Sequence, residues 1–489
     1  MLSKKKYLFY LGVFCLLIGT IFSFEQLQSK LFNEIDLLIN KTLYYSFWSI
    51  GISKSGIDLI AAGVSLLIIF KYYNKFPKQV FLYLSAGWIL LFFVYVLKSA
   101  VNIPMTDDFA ILKFLNNYTQ SKDISKIFMQ YDEDREFLIR FFSITLFHLK
   151  LFDYRILIVL ANLSLLGTVI IFYKLMHPSK ISKEMLLFLL VILIFNFEFY
   201  DAIVLTSGAM YHACSIFFVA MSLFFLIKNS NRNLFIAMLF SIAAVLNNGS
   251  GFIILLIGAV YLLFVKRRYH FTIWIISCAV IAFFYFHFYS TSKVHYNEPI
   301  NLNFSVERIM RCILFSFTFM GNSTQFFYDI TLPLVTGTII WIYFGRLTIK
   351  KYYQQNPRVY CILLFLLLTS FIIPLVKYST GIAGGLGIRY GIYSIMAISC
   401  CFIALFENTY KEVTLKIFTF IFFIVLLYHL SINIFFYPEV VIRKERLVAM
   451  LHNIRIGKPF VKPPYVMSYP NAELLIKEAV HNGYYFPDY

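Results

Sequence analysis

Apolar runs of roughly 15 to 22 residues, the length that crosses a hydrocarbon layer about 30 Å thick, alternate with short polar stretches from end to end of the chain. The short alternating segments of a membrane β-barrel are absent. The pattern predicts an all-α polytopic membrane protein with about 13 transmembrane helices. They fall near 6–24, 56–72, 80–98, 154–174, 184–200, 209–227, 232–247, 251–266, 270–289, 330–346, 358–377, 390–407 and 413–434. Two apolar pieces, 136–150 and 307–321, are short and arginine-bearing ("REFLIRFF", "ERIMRC"), and predict interfacial or re-entrant helices on the outer face.

Composition narrows the class. Apolar residues make up 60%, charged residues 14%, and mean hydropathy is +0.75, which excludes a soluble globular protein. The formal net charge of +18 would suit a nucleic-acid binder. Position argues otherwise, because the basic clusters lie in short loops between apolar runs. They are "KKK" (4–6), "KYYNKFPK" (71–78), "HPSKISK" (177–183), "KNSNR" (228–232), "KRR" (266–268) and "RLTIKKYY" (346–353). Lysine and arginine concentrate on the cytoplasmic side. These loops therefore predict a plasma or inner membrane protein, its amino terminus cytoplasmic and its tail outside, with lipid and no nucleic acid as partner. The amino-terminal stretch resembles a signal peptide but has no clear small-x-small cleavage site, so an uncleaved first helix is expected. The seven cysteines sit in or beside apolar runs without zinc-site spacing, which argues against a metal cluster or disulfide framework.

The polar segments assigned to the outer face carry the chemistry; the inner loops are short and simply basic. "MTDDFA" places Asp107 and Asp108 directly after the third span. Two readings fit: acids starting an amphipathic helix, or a general base partly removed from water. Both hold together if Asp108 caps and Asp107 reacts. "DEDREFLIR" (132–140) is either a charge cluster that fixes helix depth or a binding site. In the second case Glu133 positions an acceptor or a cation, and Arg135 and Arg140 grip a phosphate. "GIAGGLGIRYGIYS" (381–394) lets backbone approach a ligand; Arg389 begins a span there, snorkelling toward lipid phosphate or binding substrate. Tyr390 and Tyr393 suit interfacial anchoring or sugar stacking. Glu198, Asp201 and His212 flank a further outer loop, where a lone histidine is more often structural. The tail, with "KPFVKPPYVMSYP" (458–470), predicts an extended segment on the outer surface.

"DDF" (107–109), "DEDR" (132–135) and "IRY" (388–390), together with "NNGSGFIILLIGAVYLLF" (247–264), resemble the GT-C membrane glycosyltransferases. The likeness is to uncharacterised bacterial branches of that superfamily. Asp134 stands where those families carry histidine, and Ile388 where they carry serine. The resemblance covers about residues 80 to 407. It implies a catalytic core over 80–434 with its first outer loop at 100–153. Residues 1–79 would add two amino-terminal helices, and 435–489 would form an extracytoplasmic tail. It further implies transfer of a sugar, with inversion, from a polyprenyl-phosphate donor to an envelope glycan or lipid acceptor. Asp107 would be the base, Asp108 its catalytic neighbour, and Glu133, Arg135, Arg140, Arg389 and Tyr390 substrate-binding residues. No cofactor is implied; Glu133 leaves a divalent metal open. Two other classes stay in view: an O-antigen or polysaccharide polymerase or ligase, and a non-enzymatic lipid or solute transporter. The transporter would need charges buried within spans, which the sequence does not display.

Overall fold

The computed structural model describes residues 2–23, 45–72, 77–130, 135–177, 181–287, 305–326, 329–376, 381–408, 411–455 and 471–487. The principal elements of these residues are helices. In chain order they are α1 (Leu2–Ser23), α2 (Tyr45–Tyr72), α3 (Pro77–Ser99), α4 (Asp108–Ser121), α5 (Phe137–His148) and α6 (Tyr154–Leu175). Then come α7 (Lys183–Ile194), α8 (Thr206–Leu226), α9 (Asn231–Asn247), α10 (Phe252–Phe264), α11 (Arg268–Phe286) and α12 (Val306–Met320). The last six are α13 (Thr331–Ile349), α14 (Pro357–Val376), α15 (Gly391–Asn408), α16 (Lys411–Phe435), α17 (Tyr437–Arg455) and α18 (Ala472–His481).

Several of these boundaries follow from local chemistry. The first backbone N–H groups of a helix have no intrahelical acceptor, and a serine hydroxyl just before the helix supplies one. Ser182 accepts from Met185 N ahead of α7, Ser230 from Asn233 N ahead of α9, and Ser305 from Arg308 N ahead of α12. At the other end of α4, Lys122 takes a left-handed conformation and returns its N–H to Tyr118 O.

Eight helices among the described residues are long and apolar enough to cross a membrane. They lie within 78–99, 154–175, 206–226, 268–286, 331–349, 357–375, 388–408 and 417–453. Of the other five expected spans, α7 has 12 residues, α9 has 17 and α10 has 13, fewer than a straight crossing needs. The two pieces set aside as short are single helices, α5 with 12 residues and α12 with 15. Two expectations are corrected. The second span was placed at 56–72, but α2 begins at Tyr45, which sets Lys54 inside the same helix as Asp58. The tail was read as extended, but α17 and α18 are helical, and α18 buries Ala472, Ile476 and Ala479. Residues 458–470 lie outside the described residues.

The chain divides into two compact units. One comprises 1–99, 176–200 and 405–445; the other comprises 100–175, 201–404 and 446–489. In the first, α1 packs along α2 so closely that a Cβ on Gly19 would lie 2.7 Å from Gly56 O. In the second, α8 packs between α6 and α9, and α12 packs on α13 and α14. The α12–α13 crossing needs hydrogen at both contact points, since a Cβ on Gly337 would lie 1.8 Å from Phe317 O. Replacing Gly337 by leucine should therefore destabilise the protein by about 3 kcal/mol. Thermal unfolding in detergent would register it as a lower transition temperature; an unchanged transition would contradict this packing.

Candidate functional site

The site is built at the amino end of α4, and backbone geometry explains why adjacent acids face differently. Thr106 holds φ at 42°, a conformation that non-glycine residues rarely adopt. Asp108 N donates to Met105 O at 2.8 Å, closing a tight turn into the helix. Asp107 occupies the N-cap position, is half-buried, and makes no capping hydrogen bond. Asp108, one residue on, is 1% exposed.

A carboxylate taken out of water needs donors. Asp108 Oδ1 accepts the Ser207 backbone N–H at 2.7 Å, and Met105 N lies 3.4 Å from Oδ2. Burial outweighs these donors and raises the carboxyl from its ordinary range to about 7. The turn is also fixed from beneath. Tyr154 Oη donates to Asp108 O at 3.1 Å, and Asn102 Oδ1 accepts Tyr154 N at 3.0 Å. The chain's last described residues close the arrangement: Tyr485 Oη donates to Asn102 O at 2.7 Å, and Asn102 Nδ2 donates to Phe486 O at 2.9 Å.

Ser207 lies at the start of α8, after the single helical turn Asp201–Val204. The reversal between the two is so tight that a Cβ on Gly208 would meet Asp201 O at 2.2 Å. That single turn packs against the 3-10 turn Ile388–Tyr390, which carries Arg389. Further along α8, His212 Nδ1 lies 3.2 Å from Tyr393 Oη, and its ring stands 5.9 Å from that of Tyr390. Tyr390 is buried, its ring centroid 4.8 Å from that of Phe319 at a tilt of 33°; Arg389 is half-exposed with its guanidinium 5.6 Å from the Tyr390 ring centroid. Asn322 Nδ2 anchors the glycine-rich loop through Gly385 O at 2.7 Å and Gly387 O at 2.9 Å. One end of α8 thus organises both the aspartate turn and the arginine turn.

The remaining sequence-selected residues are placed differently. Arg135 is buried and donates to Phe128 O at 2.8 Å, to His287 O at 2.8 Å, and to Tyr285 O. Arg140 is also buried, donating to Met129 O and pairing with Glu136 at 3.4 Å. Arg135 thus links the carbonyl of Phe128 to those of Tyr285 and His287, and Arg140 links Lys126 and Met129 to the start of α5. Glu133 lies outside the described residues. Among the described residues, no group of three or more His, Cys, Asp or Glu is placed to hold a metal ion.

A second polar constellation, in the other unit, escaped the sequence reading. Lys54, Asp58, His429 and Asn433 are all buried and hydrogen-bonded to one another. Its one sequence signal is the Lys54–Asp58 spacing of four, which puts both on one helix face. Neither known protein families, nor curated proteins, nor solved structures give a match to this chain.

The Asp108 environment has a pH signature. Its folded-state proton affinity exceeds that of the unfolded chain, so the folded protein holds a proton between about pH 4 and 7 that the unfolded chain releases. Stability contributed by this group should fall as pH rises through that window and level off above it. In Asp108→Asn that slope should vanish, measured as transition temperature against pH; identical profiles for both proteins would contradict the assignment.

Proposed function

We propose that the chain is a membrane glycosyltransferase of GT-C-like arrangement, with about 13 spans threaded from a cytoplasmic amino terminus. It transfers a sugar, with inversion, from a polyprenyl-phosphate donor to an envelope glycan or lipid acceptor on the outer face. The single observation that supports this reading most is the pairing at the start of α4. Asp108 is consumed by backbone donors while the half-buried carboxylate beside it, Asp107, makes no capping bond, and Arg389 stands half-exposed at the same end of α8.

In this reading Asp107 takes the proton of the acceptor hydroxyl as its oxygen bonds to the anomeric carbon. The bond from that carbon to the lipid phosphate breaks, and the departing phosphate carries the electron pair away. Arg389 offsets the charge that accumulates there. Asp108 positions Asp107 through the shared turn, and Tyr390, packed under Arg389, orients the guanidinium. Arg135 and Arg140 shape the outer loop through carbonyls, and Glu133 contributes to acceptor binding. A donor with its phosphate at the membrane surface needs no nucleotide pocket.

A second reading, movement of a lipid or solute without chemistry, is favoured by one observation. The buried Lys54–Asp58–His429 cluster is the kind of charge that proteins retain within membrane helices for conduction or coupling.

The test is Asp107→Asn. It should lower sugar transfer at least about a hundredfold while protein level and unfolding temperature stay unchanged. Mass spectrometry of envelope glycans and lipids from cells carrying only the variant would read the loss. Full modification by Asp107→Asn would end the glycosyltransferase reading, and loss of substrate movement in Asp58→Asn alone would favour the second.

A further inference from the structure

The polar cluster of the first unit has a hydrogen-bond pattern that constrains its protonation. His429, on α16, stands between two acceptors. Its Nε2 lies 3.0 Å from Asp58 Oδ2, and its Nδ1 lies 3.2 Å from the carbonyl of Ile192. That carbonyl belongs to the last turn of α7, where no intrahelical N–H remains to satisfy it. A neutral imidazole donates through one nitrogen and presents a lone pair at the other. With oxygen on both sides, only the doubly protonated ring donates in both directions. The α7 carboxyl-terminal end and the Asp58 carboxylate both favour the resulting positive charge.

The rest of the cluster tolerates either state of the ring. Asp58 Oδ2 also accepts from Lys54 Nζ at 2.8 Å and from Asn433 Nδ2, so it keeps partners when the imidazole has lost a proton. Lys54 Nζ further donates to Asn433 Oδ1 at 2.7 Å and sits 4.5 Å from the centroid of the Tyr95 ring. Facing groups from the packed elements are Lys54 and Asp58 on α2, Tyr95 and Trp88 on α3, the Ile192 carbonyl on α7, and Tyr437 on α17. Lys54 is the one opposing cation among these facing groups. Asp58 Oδ1, by contrast, is buried and accepts no hydrogen bond within the described residues. The cluster borders a small cavity with room for a water-sized molecule, lined by Lys54, Asp58 and His429 and walled by aromatic rings including Trp88 and Tyr95. A buried carboxylate oxygen without a donor beside such a space is where an ordered water would find an acceptor.

We propose that the Lys54–Asp58–His429 cluster is a proton-binding site. The lone pair of one His429 ring nitrogen takes up the proton, and the Asp58 carboxylate facing Nε2 offsets the charge. Uptake changes the summed charge of lysine, carboxylate and imidazole from zero to plus one, inside a shell of aromatic rings. The site does not depend on which of the two functional readings holds, since none of its groups belongs to the aspartate or arginine turns.

Histidine-selective isotope labelling of the full chain in lipid nanodiscs tests the site, with His429 identified by the signal lost in His429→Gln. In the unmodified protein a form of His429 with protons on both ring nitrogens should be seen, each nitrogen donating to one of its two oxygen neighbours. Asp58→Asn, which removes the carboxylate facing Nε2, should deplete that doubly protonated form. A His429 that stays neutral from pH 5 to 8 in the unmodified protein would overturn the proposal. So would a titration that Asp58→Asn leaves in place. If Asp58→Asn fails to fold, the titration of the unmodified protein decides alone.

Discussion

Taking the Asp108 carboxylate out of water is the step on which the candidate site depends. Its oxygen must be met by donors, and the Ser207 amide at 2.7 Å meets it at the first turn of α8. That one bond joins the start of α4 to the helix that also carries His212 and, through the preceding turn, abuts Arg389. The unusual backbone at Thr106 is tolerated because the turn is held on several sides, by Tyr154, by Asn102 and by Met105 N. Losing the Ser207 bond would release Asp107 and the Arg389 turn from a common frame. Precision in placing the two groups is a property of that frame rather than of either side chain.

The two units treat a buried aspartate in different ways. Asp108 is met by backbone amides and has no cation among its partners, so burial dominates and its proton affinity climbs. Asp58 has a lysine, an asparagine amide and a histidine on one oxygen and, among the described residues, no hydrogen-bond donor on the other. The first arrangement holds a shape. The second gathers more donors than one oxygen can align well, and such crowding lets the partners exchange roles at low cost.

Legibility in the sequence tracked how local the governing interaction was. The long apolar helices and the serine-capped starts of α7, α9 and α12 could be placed to within a few residues, because hydropathy and caps act over one or two turns. The start of α2 could not, because Lys54 interrupts the apolar run, and Asn433, which pairs with it, lies far along the chain. Arg135 and Arg140 read as phosphate ligands since nothing in a sequence shows carbonyls at 128, 129 and 287 converging on them. In the tail, proline and tyrosine content masked the helical spacing of Ala472, Ile476 and Ala479. The aspartate pair could be singled out by its rarity beside hydrocarbon, but which acid faces inward is set by the Thr106 backbone.

The latch between Asn102 and Phe486 carries a parity rule. Two residues joined by a hydrogen bond occupy the same side of the bilayer, so the chain between them must cross an even number of times. Seven of the eight candidate spans lie between those residues, from Tyr154–Leu175 onward, and seven is odd. Sidedness therefore demands that the crossings between them differ from those seven by an odd number.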